Sequence, residues 1–270
     1  WAAGFSFQPA ASGVADETSI TGFLAGVALA ILAFKGFTTI TNSGGEVKNP
    51  NRNVGRAIMI SLAICLVVYM LVAFAVGSTL SISEIGQARD YSLAEAARPA
   101  FGEAGVWFTV IIAIIATASG VIASIFAVSR MIAMLTDMKL VPHKHFDMPG
   151  NIQTHALVYT VIAAGLLAAF FDLGRIASMG AIFYLVMDVI IHWGVLRRLR
   201  EDVGANPAVL ICAILFDLVA LGAFLVMKAM SDPAIIVISA SGILAIFVFE
   251  KIYLSRRRKN EEADEADHHG

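Results

Sequence analysis

The sequence predicts an all-α fold, a polytopic membrane helical bundle with seven transmembrane helices. Three observations carry that expectation: 58% of the 270 residues are hydrophobic, only 15% are charged, and the mean hydropathy is +0.79. Soluble domains are about 45–50% apolar and about 25% charged. A water-soluble globule of this length needs a far larger charged surface. The composition therefore argues against a cytosolic enzyme and against a disordered chain. The formal net charge of −2 leaves no basic excess to meet phosphates, so no nucleic-acid partner is expected. Cys65 and Cys212 both lie inside apolar runs. They cannot form a disulfide framework and are expected to be small core residues.

Residues 1–19 have neither a positive n-region nor an apolar h-region, so they do not read as a signal peptide. They are expected to form an extracellular loop. The first residue is Trp1 rather than Met, which suggests a chain that begins partway through a longer protein. About 20 apolar residues cross a bilayer as a helix. Seven stretches qualify, at 20–42, 57–80, 105–129, 154–171, 176–196, 207–227 and 234–254. They make 20–254 a seven-helix transmembrane region and 255–270 a cytoplasmic tail. The loop 81–104 is longer than a connector requires, and 92–101 reads as a short helix over the outer face. Charges well inside the spans are few: Lys35, Asp188 and Asp217. Glu250 and Lys251 lie near the end of the last span, where long side chains snorkel to the interface.

The Lys/Arg bias orients the spans. Loops on one side, together with the tail, hold fourteen Lys and Arg, among them Lys48, Arg52, Arg197, Arg198 and Arg256. Loops on the other side hold four, Arg89, Arg98, Arg175 and Lys228. The richer side is expected to be cytoplasmic, with the N-terminus of this chain outside and its C-terminus inside a plasma-membrane protein. In the tail, Arg256-Arg257-Arg258-Lys259 reads as a stop-transfer anchor, followed by a solvated acidic run.

The first span is unlike the others. Its middle reads Leu32-Ala33-Phe34-Lys35-Gly36-Phe37-Thr38-Thr39-Ile40-Thr41, placing a cation, a glycine and a run of hydroxyls at membrane depth. Each of these weakens a helix. In lipid, broken backbone is tolerated only where it is buried in protein or lines a cavity. Discontinuous helices of this kind form midplane substrate sites in many secondary transporters. A straight helix, with Gly36 for close packing and Lys35 paired to a carboxylate elsewhere, is the plainer alternative.

Downstream, Glu46-Val47-Lys48-Asn49-Pro50-Asn51-Arg52 makes a compact turn before the next span. Together with Phe34-Lys35-Gly36-Phe37, it resembles the sixth transmembrane helix and following loop of the amino acid–polyamine–organocation (APC) superfamily. That family's signature there is an unwound aromatic-x-Gly-aromatic stretch, then Glu-x-x-Asn-Pro-x-Arg. The outer stretch Ser92-Leu93-Ala94-Glu95-Ala96-Ala97 before Phe101-Gly102 resembles the family's loop before helix eight. The ending Ser129-Arg130 through Asp137, Leu140 and Pro142 resembles the close of helix eight, although Met138 replaces the usual Gly.

The resemblance implies helices six to twelve of a twelve-helix permease. In such proteins two inverted five-helix repeats form a LeuT-like 5+5 core, so this chain would hold the second repeat and the last two helices. It further implies secondary active transport of amino acids or related small zwitterionic or anionic substrates, with proton or sodium coupling and no cofactor or metal. The substrate would be bound at Ala33, Phe34, Lys35, Gly36, Phe37 and Thr38. A fixed cation at Lys35 argues against cationic substrates. Thr117, Ser119 and Ser124 are hydroxyls that could help hold a coupling cation, or simply join helices.

Asp188 and His192 share a helix face and could bond one another, as a relay or as a packed polar pair. Asp217 is expected to serve a helix contact. The loose histidine group His143, His145 and His155 matches no metal-ligand spacing. Two rival classes fit less well. A seven-helix receptor or retinal protein fits the span count, but residues 238–247 of the last span hold no lysine. An intramembrane aspartyl protease would use Asp188 and Asp217, yet they stand in Met187-Asp188 and Phe216-Asp217 without the expected glycine motifs. Gly-x-Ser-x-Gly and His-Glu-x-x-His are likewise missing, so no enzyme is expected. Because alternating access rocks one repeat against the other, these 270 residues in liposomes are expected to show no saturable uptake of any amino acid in a panel.

Overall fold

Asn, Asp and Pro fix where the helices of this chain begin. In the computed structural model, which describes residues 20–37, 40–41, 47–142 and 151–268, every described element is helical. Asn49 takes a left-handed conformation (φ 52°), and Pro50 opens α2 (Pro50–Thr79) with its fixed φ and no N–H to leave orphaned. Asn is among the few side chains that tolerate that conformation. The Asn49 carbonyl then accepts from Arg52 N at 3.1 Å and Asn53 N at 3.0 Å. The Asn-Pro-x-Arg motif is thus a helix-starting device. Asn151, Asp172 and Asn206 accept first-turn N–H bonds at 2.9 Å and start α5 (Ile152–Phe170), α6 (Leu173–Gly194) and α7 (Pro207–Ser231).

The chain divides into two units. In the one comprising 34–127, α2 is followed by the short α3 (Ile82–Ala88), a 3-10 turn (Arg89–Tyr91) and the first part of α4 (Ser92–Asp137). Ser81 and Glu84 form a capping box at α3. The Ser81 N–H donates to Glu84 Oε2 at 2.7 Å, and Glu84 N–H reaches back to Ser81 Oγ at 3.4 Å. The Ser81 hydroxyl, which also donates to Glu84, holds its carboxyl below the usual carboxylate range. In α4 the Arg98 guanidinium bonds Glu95 at 2.7 Å and also meets Glu103. The Glu95 hydrogen bond is the main cause that lowers the Glu95 carboxyl and raises Arg98.

The expected helix at 92–101 exists and runs into the long span through a kink at Gly102 (φ 59°, ψ −152°). That region of backbone space is open essentially to glycine alone. Just beyond the kink the chain folds closely on itself, since a Cβ at Gly105 would lie 2.6 Å from Phe101 Cβ and 3.0 Å from the Ala97 carbonyl oxygen.

The second unit holds 19–33 and 128–270. There α1 (Ile20–Ala33) packs against α6 and α7, and α8 (Pro233–His268) packs against the same two helices. The buried centre is Ala25 and Ala28 of α1, Met179, Ala181, Ile182 and Leu185 of α6, Ala220 and Phe224 of α7, and Ile235 of α8. Small residues let membrane helices approach closely, where lipid tails offer no hydrophobic drive. Arg175 bonds Asp232 at 2.9 Å, tying the start of α6 to the α7–α8 connection. At the end of α4, Lys139 turns left-handed (φ 56°) and Leu140 N bonds Leu135 O at 2.9 Å. The helix therefore closes with a Schellman-type turn in which Lys139, and not a glycine, takes the left-handed position. The Lys139 carbonyl accepts from Arg257 of α8 at 3.0 Å.

Among the described residues, six helices are long and apolar enough to cross a membrane: α2, α4, α5, α6 with its π-helical extension Val195–Leu199, α7 and α8 as far as Arg257. The first expected span is different. Its helix α1 is 14 residues long, about 21 Å, and does not continue through 42 as a single described helix. The last helix carries on without a stop past 254, into the segment expected as a tail. Cys212 is exposed and Cys65 half-buried, so neither is a core residue. An apolar run on a membrane helix marks a lipid face as readily as a core face.

Gly102→Ala is expected to cost about 1–3 kcal/mol through its backbone alone, since a Cβ there meets nothing within 4 Å. Gly120→Ala, inside α4 and equally uncrowded, is expected to be neutral or slightly stabilising. Thermal unfolding of the two purified variants side by side checks the contrast.

Candidate functional site

α1 ends at Ala33 because the residues after it stop favouring helix: a cation at Lys35, glycine at Gly36, then hydroxyls. Phe34 lies in a turn, Lys35–Phe37 form a single 3-10 turn, and Ile40 and Thr41 are helical again. The discontinuity expected in this span is present. Ala33 is exposed at the end of the helix in one unit, while Phe34 to Phe37 belong to the other. Phe34 and Lys35 are half-buried and Gly36 is exposed. A Cβ at Gly36 would meet nothing within 4 Å, so this glycine serves the bend and not a close helix contact. Thr38 lies outside the described residues, as do the Phe37 side chain and Glu46.

Within the unit that holds Phe34, α2 packs against the Lys35–Phe37 turn. The rings of Tyr69 in α2 and Phe34 meet in an edge-to-face arrangement, with centroids 5.1 Å apart and planes at 67°. Sequence reading missed Tyr69. Its 35-residue separation from Phe34 carries no local pattern, and the one available signal was a phenol in an otherwise aliphatic stretch.

The intramembrane acids and histidine divide differently from expectation. His192 of α6 places Nδ1 3.0 Å from Asp217 Oδ2 of α7, a bond across helices where the spacing had offered Asp188. Asp217 thus serves a helix contact, as expected. An ionised carboxylate only accepts, so with Asp217 charged the His192 Nδ1 carries the proton and Nε2 is the acceptor of a neutral ring. The pair is mostly enclosed, the Asp217 side chain being 14% exposed. The proposed cation hydroxyls Thr117, Ser119 and Ser124 are all exposed along α4. His155 is buried in the first turn of α5, and His143 and His145 lie outside the described residues.

Interhelical hydrogen bonds in membranes are worth about 0.6 kcal/mol on average and up to about 1.7. Asp217→Leu and His192→Leu are each expected to lower stability by about 1 kcal/mol, and the double variant by no more than either alone. Unfolding of the three variants in detergent measures that coupling.

A family model described as amino acid permease matches residues 2–249. The chain is 27% identical over 245 residues to the inner membrane transport protein YbaT of Escherichia coli K12, covering 90% of this chain and 57% of that protein. It is 32% identical over 212 residues to an uncharacterized transporter of Mycobacterium tuberculosis H37Rv, covering 74% of this chain and 44% of the relative. It is also 32% identical over 170 residues to a vacuolar cationic amino acid transporter 4 of Arabidopsis thaliana, covering 59% of this chain and 27% of that one. The chain spans 57% or less of the length of each of these relatives.

Proposed function

This chain belongs to the amino acid permease family as a multi-pass membrane protein, and from that premise we propose that it serves secondary active transport of amino acids. The single observation that carries the reading is the interruption of the first helix after Ala33, where Phe34, Lys35, Gly36 and Phe37 turn at membrane depth. Measured along α1 from Ile20, Phe34 lies about 21 Å into a hydrocarbon layer of about 30 Å. In lipid, broken backbone is tolerated only where it is buried in protein or lines a cavity. The proposed substrate-binding set is Ala33, Phe34, Lys35, Gly36, Phe37 and Thr38.

The substrate proposed is zwitterionic or anionic, because the Lys35 ammonium attracts a carboxylate and repels a second cation. The Arabidopsis relative is named for cationic amino acids, so charge preference is the sharpest point to test. The proposed setting is the plasma membrane, with residues 1–19 outside, 255–270 in the cytoplasm and a proton or sodium ion as the coupling ion. The fourteen-to-four distribution of Lys and Arg supports that orientation. The relatives are named as transport proteins, and no reaction is proposed for the chain.

The test is uptake by the protein as encoded, reconstituted in vesicles, over alanine, leucine, phenylalanine, glutamate and arginine. Uptake of neutral or acidic amino acids with arginine excluded is expected. A preference for arginine would overturn the charge assignment. In the same system Lys35→Met keeps the side-chain length and removes the charge. A charged hydrogen bond of about 1.5–3 kcal/mol corresponds to roughly 10- to 150-fold in apparent affinity. Lys35→Met is expected to weaken binding in that range while folded yield holds. Unchanged affinity across pH rejects the role of Lys35, and a collapse in yield identifies a structural ion pair instead.

A further inference from the structure

We infer that Tyr69 of α2 is a positioning residue that holds the Phe34 ring in place and thereby limits the size of side chain accepted at the break. The inference rests on the reading of Phe34 to Phe37 as part of the substrate site. The two rings meet edge to face at 5.1 Å, an arrangement favoured by the opposite polarity of ring edge and ring face. Phe34 needs such a partner. It follows the last residue of α1 and precedes a three-residue 3-10 turn, so no continuous helix fixes its backbone, and Gly36 two residues on leaves open space around the turn.

Composition points the same way. Across residues 62–76, Tyr69 carries the only side-chain oxygen, and its neighbours Val67, Val68, Met70 and Leu71 are aliphatic. The edge-to-face contact with Phe34 gives the position a reason to be aromatic.

The experiment compares Phe34→Leu, Tyr69→Phe, Tyr69→Leu and the Phe34→Leu/Tyr69→Leu double variant in the protein as encoded, reconstituted in vesicles. Initial uptake rates for alanine, leucine and phenylalanine give KM, maximal rate and the selectivity among the three. Tyr69→Phe keeps the ring edge and is expected to match the parent. Tyr69→Leu is expected to raise KM about 3- to 10-fold at unchanged maximal rate, to shift the alanine-to-phenylalanine preference, and to add nothing to Phe34→Leu in the double variant. Parent-like KM and selectivity in Tyr69→Leu, or full additivity with Phe34→Leu, overturn the inference while leaving the site reading intact. Parent-like behaviour of Phe34→Leu, or a parent protein that takes up none of the three, defeats the site reading and this inference together. If Tyr69→Leu does not fold, Tyr69→Met takes its place. Loss of folded protein in both shows a packing role and overturns the inference as well.

Discussion

In hydrocarbon every backbone N–H and C=O needs a partner, and water is not there to provide one. That constraint explains why every described element is helical and why the interruption after Ala33 carries the functional reading. A helix that stops leaves its last carbonyls without intrahelical donors. Several ends in this chain are closed or opened by local devices. Lys139 closes α4 in a left-handed turn with Arg257 on its carbonyl, and Asn49-Pro50 opens α2 with nothing orphaned at the proline. After Ala33 the sequence supplies a cation, an aromatic pair and a glycine, which are residues suited to meeting a solute.

The same constraint sorts the polar side chains. An acid at the centre of a membrane helix costs about 2.5–3.5 kcal/mol by insertion measurements, so Asp217 is found against His192 of the next helix. Arg175 at the start of α6 is held by Asp232. Where no polar partner is at hand, the helices rely on shape. Ala25 and Ala28 bring α1 close to α6 and α7, and Phe224 and Leu185 fill the space beneath them. Packing of this kind depends on small residues at one face and tolerates any apolar residue on the others.

That tolerance sets the limits of what the sequence reveals. Hydropathy located every long helix, and α5, α6 and α7 to within a few residues, because length and apolarity are properties of a segment by itself. By contrast, α2, α4 and α8 run well past their apolar stretches. The helix break was equally legible, since Lys35, Gly36 and the threonines all lie within one short run. Local signals were also available and passed over: the Ser81–Glu84 capping box announced α3, and Asn151, Asp172 and Asn206 stood at helix starts. What could not be read was anything decided across space. Hydrophobicity alone could not tell that Cys212 faces outward, that His192 bonds Asp217, or that Tyr69 reaches Phe34. Each depends on which face of one helix meets which face of another, and helices apolar all round do not advertise a face.

The electrostatics at the break follow from the helix as much as from the lysine. The C-terminal end of a helix carries the equivalent of about half a negative charge on its unsatisfied carbonyls, and the effect fades within a turn. Lys35 stands two residues past the end of α1, inside that range along the chain. Its ammonium is therefore offset in part by the helix end that precedes it, so the field offered to a solute is weaker than that of an isolated cation. A residual positive field favours a carboxylate without capturing it, and a carrier must release its substrate as readily as it binds it. A lysine placed mid-helix would lack that offset and would demand a fixed carboxylate partner. In the proposed reading, the position of Lys35 just after a helix end, and not merely its charge, suits it to a reversible site.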